Sequence, residues 1–141
     1  MAAGNWLKLA VADAIFGGTD LSHLTNVYVA LLTGQPTDQD SSIAALELSG
    51  TGYGRVAVAC PAGWTTPAES GSNNPVLTSN VSTVSFGNAG SAWGTATWFA
   101  LMTASSSGHL IGYGQLGAPQ VVLTGLLVQF AAGALVAQLV S

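Results

Sequence analysis

Gly94-Thr95-Ala96-Thr97-Trp98-Phe99-Ala100-Leu101-Met102 and His109-Leu110-Ile111-Gly112-Tyr113-Gly114-Gln115-Leu116 are separated by a short link that contains Ser105-Ser106-Ser107-Gly108. The reading of this stretch decides the fold. Both runs are rich in residues that suit a pleated, half-buried surface. The serine–glycine cluster between them is turn chemistry. Together they predict an antiparallel hairpin. Glycine weakens a strand interior unless a bulge or a close backbone neighbour requires it, so Gly94, Gly112 and Gly114 are expected to mark such places.

The same pattern extends outward from the hairpin. Upstream, Asn26 to Thr33, Tyr53 to Cys60, Val76 to Thr78 and Val81 to Phe86 read as strands. A polar loop from Thr37 to Ser42 follows the first, and a turn-rich insertion from Pro61 to Asn74 follows the second. Downstream, Pro119 to Leu123, Gly125 to Phe130 and Ala134 to Val140 complete the set, with Ala131-Ala132-Gly133 as a turn or bulge. Short strands punctuated by turns predict an all-β chain, a jelly-roll-like β-sandwich. The exception is the start. Trp6, Leu7, Ala10, Val11, Ala14 and Ile15 fall at helical spacing after Asn5, an N-cap residue type, and before Gly17-Gly18, a glycine stop. The expected organisation is a helical arm over residues 1–18 and a single β-sandwich domain over 19–141.

Charge is scarce. Of 141 residues, two are basic (Lys8 and Arg55) and six are acidic, for a net charge of −4. Phosphate recognition needs several lysines or arginines, which excludes nucleic acid. An anionic membrane surface is excluded on the same ground. Residues 121–140 carry no charge, but Gly125, Gly133, Gln129 and Gln138 interrupt them and no basic residue flanks them. They read as short paired strands and not as a membrane helix. A chain this neutral and this apolar is expected to cover much of its surface with other protein, because solitary soluble domains keep about a quarter of their residues charged.

The same scarcity limits chemistry. Cys60 stands alone, so it makes no intrachain disulfide, and at a strand end it reads as a small hydrophobe. Asn80-Val81-Ser82 fits a glycosylation acceptor, but Asp13 within the first apolar stretch and the absence of a basic leader make a secretory signal a poor fit. His23 and His109 read as surface or cap residues, with no nucleophile elbow near either. Asp38 and Asp40 lie two apart on a loop and read as a solvated turn, too few for a calcium loop. Glu47 and Glu69 are the only glutamates, and nothing in the sequence fixes a catalytic separation between them. Gly50-Thr51-Gly52-Tyr53-Gly54 lacks the lysine and helix of a phosphate loop and reads as the entry to a strand. No catalytic residue, cofactor site or metal site is expected. The remaining candidates are interface residues: Trp6 and Leu7 on the helical arm, Arg55, Trp64 and Trp93. Arg55 is expected to find a bidentate carboxylate, either Glu47 or an acid across an interface. Tryptophans in a sandwich serve as core or interface anchors or, less often, as sugar platforms.

Four segments occur in an order that resembles a family of small tailed-bacteriophage virion proteins. They are Tyr28 to Thr33 with Pro36, Glu47 to Val58, Trp93 to Leu101 with Gly108 to Ile111 after it, and Val128 to Leu135. Members are described as tail-fibre proteins, and similar small β-sandwich proteins serve as capsid cement or decoration. The resemblance covers about Leu7 to Gln138 and implies a structural role without catalytic residues. The leading expectation is a non-enzymatic cement protein on the outer capsid, bound to the major capsid protein as a homotrimer, since decoration sites at local threefold positions suit trimers. The alternative is a tail or tail-fibre component that touches host glycans through Trp64 or Trp93. A small hydrolase is the reading from another class, and the shortage of acids and bases argues against it.

Overall fold

A computed structural model describes residues 1–20, 23–69 and 76–139. It contains ten strands and one α-helix: β1 (Ala2–Ala3), α1 (Asn5–Ala12), β2 (Asn26–Leu32), β3 (Val56–Ala59), β4 (Ala68–Glu69), β5 (Val76–Ser79), β6 (Val84–Asn88), β7 (Gly94–Met102), β8 (Leu110–Val122), β9 (Leu127–Phe130) and β10 (Val136–Leu139). All pairings are antiparallel. The main sheet runs β1-β8-β7-β2-β3, a second sheet runs β10-β5-β4, and β6 pairs with β9. The expected all-β, sandwich-like fold with one N-terminal helix is the fold that forms.

The main sheet is covered on both faces, which explains why Val27 to Leu32 reads as a nearly unbroken apolar run. On the first face, Val29 lies opposite Leu101 and Leu31 opposite Phe99. These pack with Val84, Phe86, Val128 and Leu135 from the other strands, forming the sandwich core. On the second face, Ala30 lies opposite Ala100 and Tyr28 opposite Met102. That face is closed by Ile43 and Leu46 from the segment between β2 and β3.

The predicted hairpin is the centre of this sheet, with two register shifts. Leu101 pairs with Gly112 and Met102 with Leu110, which leaves Ile111 as an extra residue. A bulge of this kind resets which face each side chain meets. Leu110 and Tyr113, three residues apart, therefore share the second-face cluster, while Ile111 packs on the first. The second shift lies between Ala96 and Trp98, which pair with Gln120 and Gln115. It merges the two strands expected at His109–Leu116 and Pro119–Leu123 into the single β8. Pro119 is tolerated because proline can occupy a bulge. Gly112 and Gly114 mark close approaches: a Cβ at either would come within 2.7 Å of Ala2 O or of the Phe99 ring.

Three further expectations change. Asn5 is the first residue of α1 and not its cap. Gly4 occupies the cap position without a side-chain bond, because its backbone lies so close to Leu110 that a Cβ would clash with that carbonyl. A π-helical turn (Asp13–Gly17) extends α1, and Gly18, at φ 73°, ends it as the glycine stop predicted. The insertion after Cys60 is not all turn: β4 pairs with β5, and Trp64 bridges Asn80. Within residues 121–139 short strands do form, but β9 pairs with β6 and β10 with β5. Among the described residues no helix is long and apolar enough to cross a membrane. Residues 21–22 of the loop before His23, 70–74 of the insertion and 140 of the last strand lie outside the described residues.

Candidate functional site

The loop Gly50 to Gly54 delivers Tyr53 and Arg55 to one cluster. Arg55 donates from Nε to Glu47 Oε1 and from Nη2 to Glu47 Oε2, both at 2.8 Å. Its Nη1 donates to the carbonyls of Ala104 (2.9 Å) and Ser107 (2.8 Å), in the turn of the hairpin. Tyr53 donates its hydroxyl to Glu47 Oε1 at 2.9 Å and accepts the Leu31 N–H at 3.2 Å. The bond to Glu47 holds the Arg55 guanidinium above its ordinary range, and burial pushes the Tyr53 hydroxyl up. Both groups therefore stay protonated near neutral pH, Arg55 as a cation and Tyr53 as a neutral phenol. The bidentate partner of Arg55 is thus Glu47, inside the chain. With 6% of its side chain exposed, Arg55 ties a loop to a hairpin and presents nothing to an interface.

Trp93, the second candidate from this region, is also internal. It is 4% exposed, stands edge-on to Tyr53 at 5.3 Å, and donates Nε1–H to Thr51 O at 2.9 Å. Gly50 makes room for it: at φ 152° it tolerates a backbone that a side chain resists, and a Cβ there would stand 2.5 Å from Trp93 Cδ1. Trp93 offers no face to a sugar or a partner and is corrected to a core residue.

Asp38 and Asp40, expected in a solvated turn, instead root the helix. Asp40 accepts the Leu110 N–H at 2.7 Å and meets His109 Nδ1 at 2.7 Å. Asp38 accepts the Tyr113 hydroxyl at 2.7 Å and pairs with Lys8 of α1. Trp6 stacks on the His109 ring with centroids 5.4 Å apart and planes 6° from parallel. Lys8 and then Tyr113 hold the Asp38 carboxyl below its ordinary value. Burial pushes Asp40 up, but the Leu110 N–H and His109 outweigh it and leave a net lowering. Among the described residues, no group of three or more His, Cys, Asp or Glu comes together.

The helix rooted here buries none of its own side chains. Trp6 and Leu7 are half-buried. Beyond them Leu9 is 64% exposed, Ile15 68% and Phe16 88%. On the first face of the main sheet lies an open cleft of about 420 Å³, lined by Cys60, Trp64, Pro67, Leu101, Ile111 and Ala137 among others. Of the two tryptophans expected to reach a sugar, Trp64 borders this cleft, whereas Trp93 is buried. Its indole N–H is buried without a partner, so it offers the cleft no donor. Cys60, expected to be buried, is only partly so, although burial still pushes its thiol up.

Sequence reasoning missed Asn80. Its side chain donates to Ser82 O (2.8 Å) and Ala131 O (3.0 Å) and accepts the Leu135 N–H (3.0 Å). It is 1% exposed, so the residue that fits an acceptor sequon is a buried staple between the end of β5 and the turn before β10. The only sequence signal was an asparagine at a strand end, which many loops share.

Comparison with known proteins gives one finding. The Gp80 family model, described as podophage GP4 fiber I protein gp80, matches residues 2–138. A search of curated proteins finds no match. The matched span runs from β1 through most of β10 and so includes the helix root, the Arg55 cluster and the cleft. The chain belongs to this family of tailed-phage virion structural proteins.

Proposed function

We propose that this protein is a non-enzymatic component of the phage fibre apparatus and works by protein–protein assembly. The family match over residues 2–138 carries this reading. The side chains support it. Both basic residues and three of the six acids are joined in pairs that hold loops and helix to the sheet. Groups held in this way serve to position backbone. Apolar surface is exposed in two places among the described residues: at Leu9, Ile15 and Phe16 of the helical segment, and in an open cleft lined by uncharged residues on the first face of the main sheet. Contiguous exposed apolar surface of this kind marks sites of association.

Because Trp93 is buried, the glycan contact expected through it is not part of this reading. Contact with the host, where this chain makes it, then falls to surfaces of the assembled fibre. Immunogold labelling of intact particles tests the reading. Gold confined to the tail or fibres is the expected result. Gold spread over the head would move the protein to the capsid, as a cement or decoration protein bound to the major capsid protein.

A further inference from the structure

We infer that the N-terminal arm is exchanged between copies: residues 1–8 of one chain seat on the β8 edge of a second, and the second returns its own arm to the first. The inference deepens the assembly reading and rests on it.

The seat is a fitted one, and its occupant is known because the arm fills it in the single chain. Ala2 and Ala3 pair with Tyr113 and Gly112. Gly4 then donates its N–H to Ile111 O at 2.9 Å, and Asn5 donates its own to Asp38 O at 2.8 Å. The backbones approach so closely that each side needs a glycine. A Cβ on Gly4 would stand 2.1 Å from Leu110 O, and one on Gly112 would stand 2.7 Å from both Ala2 O and Met1 Cε. Met1 packs on the sandwich core, Trp6 stacks on His109, and Lys8 pairs with Asp38. Backbone pairing, shape and charge all select this segment.

The grip ends at Lys8. Among the described residues, no hydrogen bond joins residues 9–20 to the body of the chain. Of these residues only Ala10 and Ala14 are even partly covered, while Leu9, Ile15 and Phe16 stand in water.

A single chain has little use for such a stem. β1 leaves the sheet at the end where β2 enters it: Tyr28 lies beside Met102, Met102 beside Leu110, and Gly4 bonds to Ile111 next to that. With neighbouring strands about 4.8 Å apart, the gap from β1 to β2 is roughly 15 Å. About five extended residues would cross it. Residues 9–25 intervene instead, and 9–17 of them are helical, a stiff reach of roughly 13 Å. Within one chain that stem only exposes apolar side chains. Between two chains it spans the distance from one body to the seat on the other.

Exchange of an identical element keeps every contact of the seat, so it costs little. The chain's own arm competes at the millimolar effective concentration of a short tether, and the stems tip the balance. A reciprocal exchange carries both stems through one gap between the same two bodies. There Leu9, Ile15 and Phe16 of one stem cover those of the other and leave water.

Lys8 is the only lysine, so a carbodiimide, which joins an amine to a carboxylate it already touches, marks the seat. Isotopically heavy and light protein are mixed in equal amounts, unfolded in urea, refolded together, coupled and separated by size. In the dimer fraction about half of the Lys8–Asp38 peptide pairs are expected to join a heavy chain to a light one. In the monomer fraction none should, which makes it the control. A dimer whose pairs are all of one isotope associates through another surface and overturns the exchange. A protein that stays monomeric at every concentration overturns it too. Gly4→Val tests the seat without coupling chemistry, since its side chain blocks entry in either arrangement. Near-ultraviolet circular dichroism checks that its core is intact. Sedimentation is then expected to show monomer where wild type is dimer, and association at the wild-type level overturns the inference. Gold labelling of the virion is independent of all these results, so the exchange can fail while the fibre reading stands.

Discussion

Two clusters of charge sit in this molecule, and they serve different ends. Arg55 and Glu47 have 6% and 17% of their side chains exposed, whereas Lys8 and Asp38 have 51% and 37%, and His109 and Asp40 have 54% and 38%. The first cluster is locked between a loop and the hairpin turn, with the guanidinium shared among a carboxylate and two carbonyls. The second is wet and fixes only where a helix leaves the sheet. The difference teaches that the few charges of this chain are graded by burial. The buried pair specifies the fold, and the exposed pairs aim a projecting element.

The strongest way to break this comparison is to remove one partner of the buried pair. Arg55→Ala leaves Glu47 half-desolvated and orphans the Ala104 and Ser107 carbonyls. Loss of one member of a buried pair is costly because the other charge stays behind. We expect a loss of about 3 kcal/mol, read as a lower urea midpoint at unchanged slope. A loss below about 1 kcal/mol would put this pair in the class of exposed ones and erase the distinction.

Asn80→Ala sharpens the same point without charge. It leaves the Leu135 N–H and the Ser82 and Ala131 carbonyls without their partner in a site that water does not reach. Buried orphans cost about 1–3 kcal/mol each side of a broken bond, so a loss of about 2 kcal/mol is expected by the same urea titration. Asn80→Asp, which keeps only the acceptor, is expected to recover little of it.

How legible this was in the sequence differs between the clusters. The hairpin, the helix stop at Gly18 and the Arg55–Glu47 pairing were readable because each rests on local signals or on elimination: with so few charges, a lone arginine has few partners. Trp93 was not readable as core, because its burial depends on Gly50 opening a space 43 residues away in the chain. The helix root was missed for a similar reason. Asp40 and His109 lie 69 residues apart, and Asp38 and Tyr113 lie 75 apart. Polar residues on a loop look solvated until a distant strand supplies their donors. The bulge at Ile111 was hinted at by its neighbouring glycine, but the face it assigns to each side chain was not. The cleft left no sequence signal, since its walls come from strands of two sheets and one loop.

Acid should act on the exposed cluster in a defined direction. Asp38 and Asp40 are both held below the ordinary carboxyl value of 3.8. A carboxyl whose folded value is lowered contributes stability above its unfolded value, and that contribution is lost as pH falls through the lowered value. The helix root is therefore expected to be intact from neutral pH down to about 3.8 and to loosen below it. Hydrogen exchange reads this directly: the Leu110 amide, which donates to Asp40, and the amides of α1 should lose protection first, while the Leu31 and Leu101 amides of the main sheet hold. Equal loss in both places would mean that the helix is not a separate unit of opening.

Lys8→Met is the smallest change and the most discriminating. It removes one exposed pair and leaves Tyr113 bonded to Asp38, so the global cost should stay below about 1 kcal/mol. Added salt should mimic it, because exposed pairs are screened and buried ones much less. If the pair aims the helix, exchange protection of α1 in wild type should fall with salt and that of Lys8→Met should not. The Arg55 cluster serves as the internal control, since its urea midpoint should respond weakly to the same salt. A salt response shared by wild type and Lys8→Met would remove Lys8 from the root and leave the Trp6–His109 stack and the Asp40 bonds to hold the helix alone.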